Sequence, residues 1–135
     1  MKEKNFQTKF KHWIKNNQSK FVKSTAFELK IEKGKSLRFD RVAKHQRRAL
    51  FNSKHKYLYW KLPDSNFLQK PYDCVVMTNA PAYVVVWFYK PRQSKFMLWI
   101  DIDTFITAMF KFRHTRKSLK EQEWLNLADF VFEFK

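Results

Sequence analysis

The chain has 135 residues, of which 28 are Lys or Arg and 12 are Asp or Glu, so its net charge is +16. This length suits one domain, and the charge imbalance favours a polyanionic partner, with nucleic acid first and an anionic membrane surface a distant second. Aromatic residues make up 19% of the sequence, too many for a disordered basic arm, and the single cysteine excludes a disulfide framework.

The first half of the chain predicts a helix, a strand and a second helix. Apolar residues at helical spacing predict a helix over residues 4–17. Residues 24–32 alternate between apolar and polar side chains, which predicts a strand with one buried and one polar side. After Gly34, Asp40 is expected to cap a second helix that runs to about residue 54.

The second half predicts mostly strands, followed by two helices. Strands are expected over residues 57–62, 72–78, 82–89, 96–100 and 130–134, and helices over residues 103–112 and 118–128. Residues 82–89 (AYVVVWFY) are almost continuously apolar, which is typical of a strand buried on both faces. We therefore predict a single α+β domain over residues 1–135, with a mixed central sheet flanked by helices.

Membrane insertion and nucleotide-driven chemistry are both unexpected. The N-terminus is charged, and the longest apolar run is far too short to span a bilayer. A glycine-rich phosphate loop needs several glycines, and the chain has one. We therefore expect a soluble intracellular protein without a nucleotide cofactor.

The pair Glu28 and Lys30 is the first candidate for chemistry. Two residues apart on a strand, these side chains leave the same face. A carboxylate there can hold a hard cation while the neighbouring ammonium meets a phosphate or an attacking water. An ion pair on an exposed strand fits the same pattern, and the spacing alone favours that interpretation.

Two acids and two amides are further candidates. Asp73 stands at the start of an apolar strand, where a metal ion would compensate its charge, although a turn residue fits equally well. Asp64 follows a proline in ordinary turn chemistry. Gln46 interrupts the apolar stripe of the second helix, and Gln7 flanks that of the first, so both amides could face one polar site.

Basic residues beside turns are the candidates for binding phosphates, because a rigid scaffold holds them there. Their contribution to affinity should fall with salt and carry no sequence information. The predicted DNA-binding residues are Lys33, Lys35, Arg38, Lys44, Arg47, Arg48, Lys90, Arg92 and Lys95.

Three stretches together resemble a known family. They are Phe27-Glu28-Leu29-Lys30, the basic loop and aromatic of residues 33–39, and His45-Gln46. This combination resembles the Holliday junction resolvases of the PD-(D/E)xK nuclease superfamily, of the recombination-protein-U and the phage and archaeal types. The likeness is strongest over residues 26–50 and 70–103.

The resemblance implies a restriction-endonuclease-like core with Glu28 as a metal ligand, Lys30 as the catalytic lysine and Gln46 as the helix glutamine. The family's aspartate normally precedes the E-x-K strand, where this chain has none, and Asp73 resembles that motif relocated. The strand of residues 72–78 would then pair beside that of residues 24–32. Gln7 takes the place of the family's first-helix glutamate.

The implied activity is hydrolysis of phosphodiesters in branched DNA with Mg²⁺, for which Mn²⁺ can substitute, by a homodimer in the cytoplasm of a bacterial, archaeal or phage-infected cell. Two alternatives stay open. One is a non-catalytic protein that holds single strands by stacking on exposed aromatics. The other is a nuclease of the same fold with another DNA or RNA substrate.

Overall fold

The computed structural model describes residues 2–21, 23–65, 69–93 and 95–134. The helices are α1 (Glu3–Asn16), α2 (Lys44–His55), α3 (Ile102–Phe112) and α4 (Glu121–Leu127). The strands are β1 (Ala26–Glu32), β2 (Ser36–Arg38), β3 (Tyr57–Lys61), β4 (Cys74–Thr78), β5 (Ala82–Phe88), β6 (Lys95–Asp101), β7 (Ser118–Lys120) and β8 (Phe130–Phe134). The expected α+β architecture is confirmed: a mixed central sheet is flanked by helices.

The central sheet has four strands in the order β1-β5-β6-β8. β1 runs parallel to β5, with Ala26 beside Ala82 and Glu32 beside Phe88. The pairs β5–β6 and β6–β8 are antiparallel. Because β1 and β5 are parallel, the turns that follow them lie at the same end of the sheet, and Tyr89 N donates to Glu32 O there at 2.8 Å.

The two faces of the sheet are covered by different helices, because β5 is apolar on both sides, as its sequence predicts. Val84 and Val86 pack in a core cluster with residues of α2, α3 and α4. Val85 and Trp87 pack in a second cluster with Phe6, Phe10 and Trp13 of α1. A cluster rich in aromatic residues therefore fills the interior between α1 and the sheet.

The aromatic-rich region of β5 and β6 is mostly buried. Trp87, Phe88 and the segment 97–99 lie in the chain's own core, and Tyr89 is half-buried. Only Phe96 of that region is exposed. The reason is β5–β6 pairing, which places these residues in the centre of the sheet.

Two predictions near α2 need correction. Asp40 does not cap the helix: it lies in a 3-10 turn, Phe39–Arg41, where its carboxylate accepts hydrogen bonds from Arg38. The N-cap of α2 is Ala43. The polar side of β1 is also not solvated, because α2 packs across it, and Lys30 is only 7% exposed.

The strand that carries the relocated aspartate pairs differently from the expectation. β4 forms an antiparallel hairpin with β3, with Cys74 opposite Lys61 and Thr78 opposite Tyr57. This hairpin packs against α2 and is separate from the central sheet. The pairing of residues 72–78 with β1 is therefore wrong: among the described strands β1 pairs with β5, whose two apolar faces suit the interior position. Another small sheet joins β2 to β7.

Candidate active site

Glu28 and Lys30 come together on the face of β1 that α2 covers. Lys30 Nζ lies 3.1 Å from Glu28 Oε1. The ammonium is almost fully buried, whereas the Glu28 side chain keeps a quarter of its surface. A buried lysine requires a compensating carboxylate, and Glu28 supplies it, as the shared strand face predicts.

Gln46 connects this pair to α2. Its Oε1 accepts from the backbone N–H of Ala43 at 2.9 Å, which satisfies a free donor at the start of the helix. Its Nε2 donates to Glu28 Oε1 at 2.9 Å. The amide therefore fixes both the helix start and the orientation of the carboxylate, which explains a glutamine in an otherwise apolar stripe.

Glu3 is a site residue that the sequence analysis missed. It lies in the first turn of α1, where a negative charge is favourable at the helix N-terminus. Its Oε1 lies 3.8 Å from Lys30 Nζ and 3.8 Å from Arg41 Nη2. Gln7, the predicted residue from this helix, is exposed instead. The sequence signal for Glu3 is an acid in the first helical turn, which the helix dipole alone also explains.

Arg41 and Glu32 extend the cluster towards the end of β1. Arg41 Nη1 lies 2.7 Å from Glu32 Oε2, and Nη2 donates to the carbonyl of Ile31 at 3.0 Å. The other oxygen of Glu32 accepts from the backbone N–H of Gly34 at 2.9 Å. Acidic and basic side chains therefore alternate along the covered face of this strand.

Asp73 and Asp64 lie outside this cluster, in the connection between β3 and β4. Lys70 Nζ contacts both carboxylates, at 2.6 Å for Asp64 and 3.3 Å for Asp73. The side chain of Asp73 is 90% exposed. The structure brings Glu28, Lys30 and Gln46 together and leaves the two aspartates in the exposed connection between the two strands of the hairpin.

The donor set suits a hard cation held by few protein ligands. Glu28 and Glu3 both contact the ammonium of Lys30, and Mg²⁺ in proteins is often held by one or two carboxylates, with water and substrate oxygens completing the octahedron. Over the described part of the chain, no three His, Cys, Asp or Glu side chains are grouped to hold a metal. Within this cluster, Glu28 and Glu3 are the carboxylates next to Lys30 that could contribute to such a site.

Predicted phosphate-binding residues gather at the end of the sheet where β1 and β5 finish. Lys33 and Lys35 follow β1, Lys90 and Arg92 follow β5, and all four are exposed. Lys90 is bridged to Glu121 at 2.7 Å. Of the others, Lys44 and Arg48 are exposed on α2, and Lys95 is half-buried on β6.

A groove of about 330 Å³ is lined by five basic residues, of which two, Arg38 and Arg47, were predicted to bind DNA. Phe39, Asp40 and Met109 form part of it. The basic residues lining it are Arg38, Arg47, Arg113, Arg116 and Lys117. Arg38 and Arg116 each have a carboxylate partner, Asp40 and Glu123, so the groove keeps an excess of positive charge. Arg113, Arg116 and Lys117 are not among the nine residues predicted to bind DNA, and folding brings them beside Arg38 and Arg47 in this groove.

A separate ion-pair network ties the end of α2 to the start of α3. Lys54 Nζ lies 2.8 Å from Asp101 and 2.7 Å from Asp103, and His55 also contacts Asp103. Burial opposes the charge on Lys54, but its hydrogen bonds to the two aspartates outweigh burial and raise its pKa. Burial likewise opposes the charge on Asp103, and Lys54 and His55 together lower its pKa. The opposite charges neutralise one another, so we assign this network to stability.

Comparisons of the chain with protein families, with curated proteins and with solved structures find no match. No helix within the described ranges is long and apolar enough to cross a membrane. The fold and site thus define an α+β protein with a carboxylate–ammonium–amide cluster on an edge strand, beside exposed basic residues.

Proposed function

We propose that the protein is a divalent-metal-dependent endonuclease that hydrolyses phosphodiesters in branched DNA, such as four-way Holliday junctions. The observation that carries the proposal is the contact of Glu28 with both Lys30 and Gln46 on one face of β1. The resemblance to the resolvases names the same three residues. The exposed cations after β1 and β5 support a polyanionic substrate.

Each residue of the cluster has a distinct role in this proposal. Glu28 holds the metal, and Gln46 keeps the carboxylate in position. Lys30 orients the attacking water or meets charge on the phosphate. Mg²⁺ held at Glu28 would polarise the phosphodiester and lower the pKa of water. Mn²⁺ supplies the same chemistry.

The second acidic ligand is Asp73 in our proposal, with Asp64 as its substitute and Glu3 as the competing candidate. Metal binding at Asp73 requires Lys70 to release it, whereas Glu3 already faces the ammonium of Lys30. Cleavage by Asp73→Asn and by Glu3→Gln separates the two. Loss in the first variant alone supports the relocated aspartate, and loss in the second alone assigns the role to α1.

The restriction-endonuclease-like scaffold and the homodimer belong to the same proposal. Resolution of a four-way junction needs two symmetric nicks, which a two-fold dimer delivers in one encounter. β8 supports association better than the buried aromatic region does. It ends the order of the central sheet, and Phe130 and Val131 on it are exposed. An open strand edge with apolar side chains is a common place for a second chain to pair.

The decisive experiment measures Mg²⁺-dependent cleavage of matched four-way, forked, linear duplex and single-stranded DNA. Cleavage of the four-way junction should fall at least a hundredfold in Glu28→Gln and Lys30→Ala, while DNA affinity stays within about threefold. His45→Gln is the matched control, because His45 is exposed on the same turn of α2 as Gln46. Wild-type protein that cleaves none of the four substrates would refute the proposal.

A non-catalytic nucleic-acid-binding protein is the second candidate. It is favoured by the ion pair itself, because Lys30 already compensates the charge of Glu28 without a metal. Such a protein needs no divalent ion and keeps its function in Glu28→Gln. A nuclease with another DNA or RNA substrate would show the same dependence on Glu28 but a different order of preference among the four substrates.

A further inference from the structure

The hairpin of β3 and β4 packs one face against α2, where Trp60 nevertheless stays 62% exposed, and its other face is in solvent. Leu58 and Met77, a pair across the two strands, are half-buried on the side of α2. Residues alternate between faces along each strand, so Tyr57 and Tyr59 leave the opposite side. We call that side the ribbon face; its members are Tyr57, Tyr59, Lys61, Cys74, Val76 and Thr78.

The ribbon face is apolar where a solvated strand is normally polar. Tyr57 is 68% exposed, Tyr59 56% and Val76 58%. Tyr59 lies directly opposite Val76 in the hairpin register, so the exposed side chains are contiguous. Contiguous exposed apolar surface of this kind marks an interaction site.

The charges around the ribbon face are positive. Lys61 is a member of the face, and Lys56 is exposed immediately before β3. The face contains no carboxylate among its six members. The nearest acids along the chain, Asp64 and Asp73, both contact Lys70. A partner that complements this face presents flat apolar groups and negative charge together.

We propose that the ribbon face binds unpaired nucleotides, whose bases stack on Tyr57 and Tyr59 while their phosphates meet Lys56 and Lys61. Alternate residues of a strand are about 7 Å apart, and one stacked base occupies about 3.4 Å, so one base fits between the two tyrosine rings. Bases in a duplex already stack on one another and offer no free face. The ribbon face therefore selects single strands, such as those at a branch. This inference takes from the proposed function that the partner is a nucleic acid, and it does not depend on cleavage.

The test measures the affinity of the full chain for an oligothymidylate and for a linear duplex, with EDTA present and at fixed salt. In Tyr57→Ala and Tyr59→Ala, single-strand affinity should fall about 5- to 150-fold per residue, the range for loss of base stacking, with duplex affinity within about twofold. Tyr59→Phe keeps the ring and should bind like wild type. Phe110→Ala is the control, because Phe110 is equally exposed but lies on α3.

An oligonucleotide with abasic sites gives a second measurement on the same proteins. Wild-type protein should lose affinity for it, and Tyr57→Ala/Tyr59→Ala should lose nothing further, because the stacking partners are already absent. Wild-type binding to neither DNA would refute nucleic acid as the partner. Unchanged single-strand binding in the tyrosine variants would refute the ribbon face alone. If the tyrosine variants are monomers in solution where the wild-type protein is a dimer, the ribbon face is an interface between two copies of the chain, and this inference is overturned.

Discussion

Removal of Glu28 should destabilise the protein far more than removal of Lys30, although the two side chains form one ion pair. In Glu28→Gln the ammonium of Lys30 stays buried, with only Glu3 at 3.8 Å to compensate it. Breaking a buried pair in this way costs about 3–5 kcal/mol. Because Glu28 is a quarter exposed and Glu3 remains, we expect about 2 kcal/mol here.

Lys30→Met leaves the opposite situation. The thioether side chain fills the same buried space beside the core. The remaining Glu28 carboxylate stays partly exposed to solvent and keeps its hydrogen bond from the amide of Gln46. The expected cost is below about 1 kcal/mol. In the double variant, Glu28→Gln should cost almost nothing further, so the coupling free energy of the pair is about 2 kcal/mol.

Urea unfolding of the four proteins, followed by tryptophan fluorescence, gives these free energies directly. Equal destabilisation in both single variants, or additive losses in the double variant, would refute the assigned burial of Lys30. Cleavage measured on the same proteins separates stability from chemistry. The double variant should be nearly as stable as wild type and still inactive.

Three more predictions concern the charged surface and assembly. The log of the DNA association constant should fall linearly with log salt, with a slope of about −0.9 per phosphate contact on duplex DNA. Arg47→Ala should make the slope shallower by the amount of about one phosphate contact. An affinity that does not change with salt would contradict electrostatic binding. The Arg116 guanidinium lowers the pKa of Glu123 to about 2. The ionised Glu123 therefore stabilises the folded protein fully above the ordinary carboxyl pKa, and this stabilisation is lost as pH falls towards 2. Glu123→Gln should therefore melt below wild type at pH 7 and level with it near pH 2, and an equal difference at both would rule this linkage out. Light scattering in moderate salt should give twice the 16.6 kDa chain mass, and Val131→Lys should reduce the measured mass to that of one chain. A wild-type monomer that makes single, uncoupled nicks in a junction would be consistent with a nuclease but would contradict the proposal of a resolvase.

Much of the fold follows from local patterns in the sequence. The helical spacing of Phe6, Phe10 and Trp13 predicts α1, and the apolar run of β5 predicts a strand buried on both faces; both are confirmed. Strand pairing was harder, because β4 is short and half-apolar and suits either a hairpin or a sheet edge. In the structure β4 pairs with β3, the strand that precedes it. The sequence does not reveal this, because the alternation of side chains within a strand does not identify the neighbouring strand.

The candidate site was predictable where its residues share an element or break a pattern. Glu28 and Lys30 are neighbours on one strand face, and Gln46 interrupts an apolar stripe. Glu3 could not be found in this way, because an acid at a helix start has an ordinary explanation in the helix dipole. Its contact with Lys30 depends on how α1 crosses the sheet, which no local pattern contains.

The parallel pairing of β1 with β5 has a consequence for the order of folding. Its register joins Ala26 to Ala82, so α2 and the whole hairpin lie within the loop that must close before β1 enters the sheet. Contacts of such long range form slowly, because the entropy of closure precedes any gain. Among the strands that the structure describes, β1 is also held by β5 alone. Amide hydrogens of Glu28 and Lys30 should therefore exchange faster than those of β5, and detachment of β1 would dismantle the site while β5 keeps its pairing with β6.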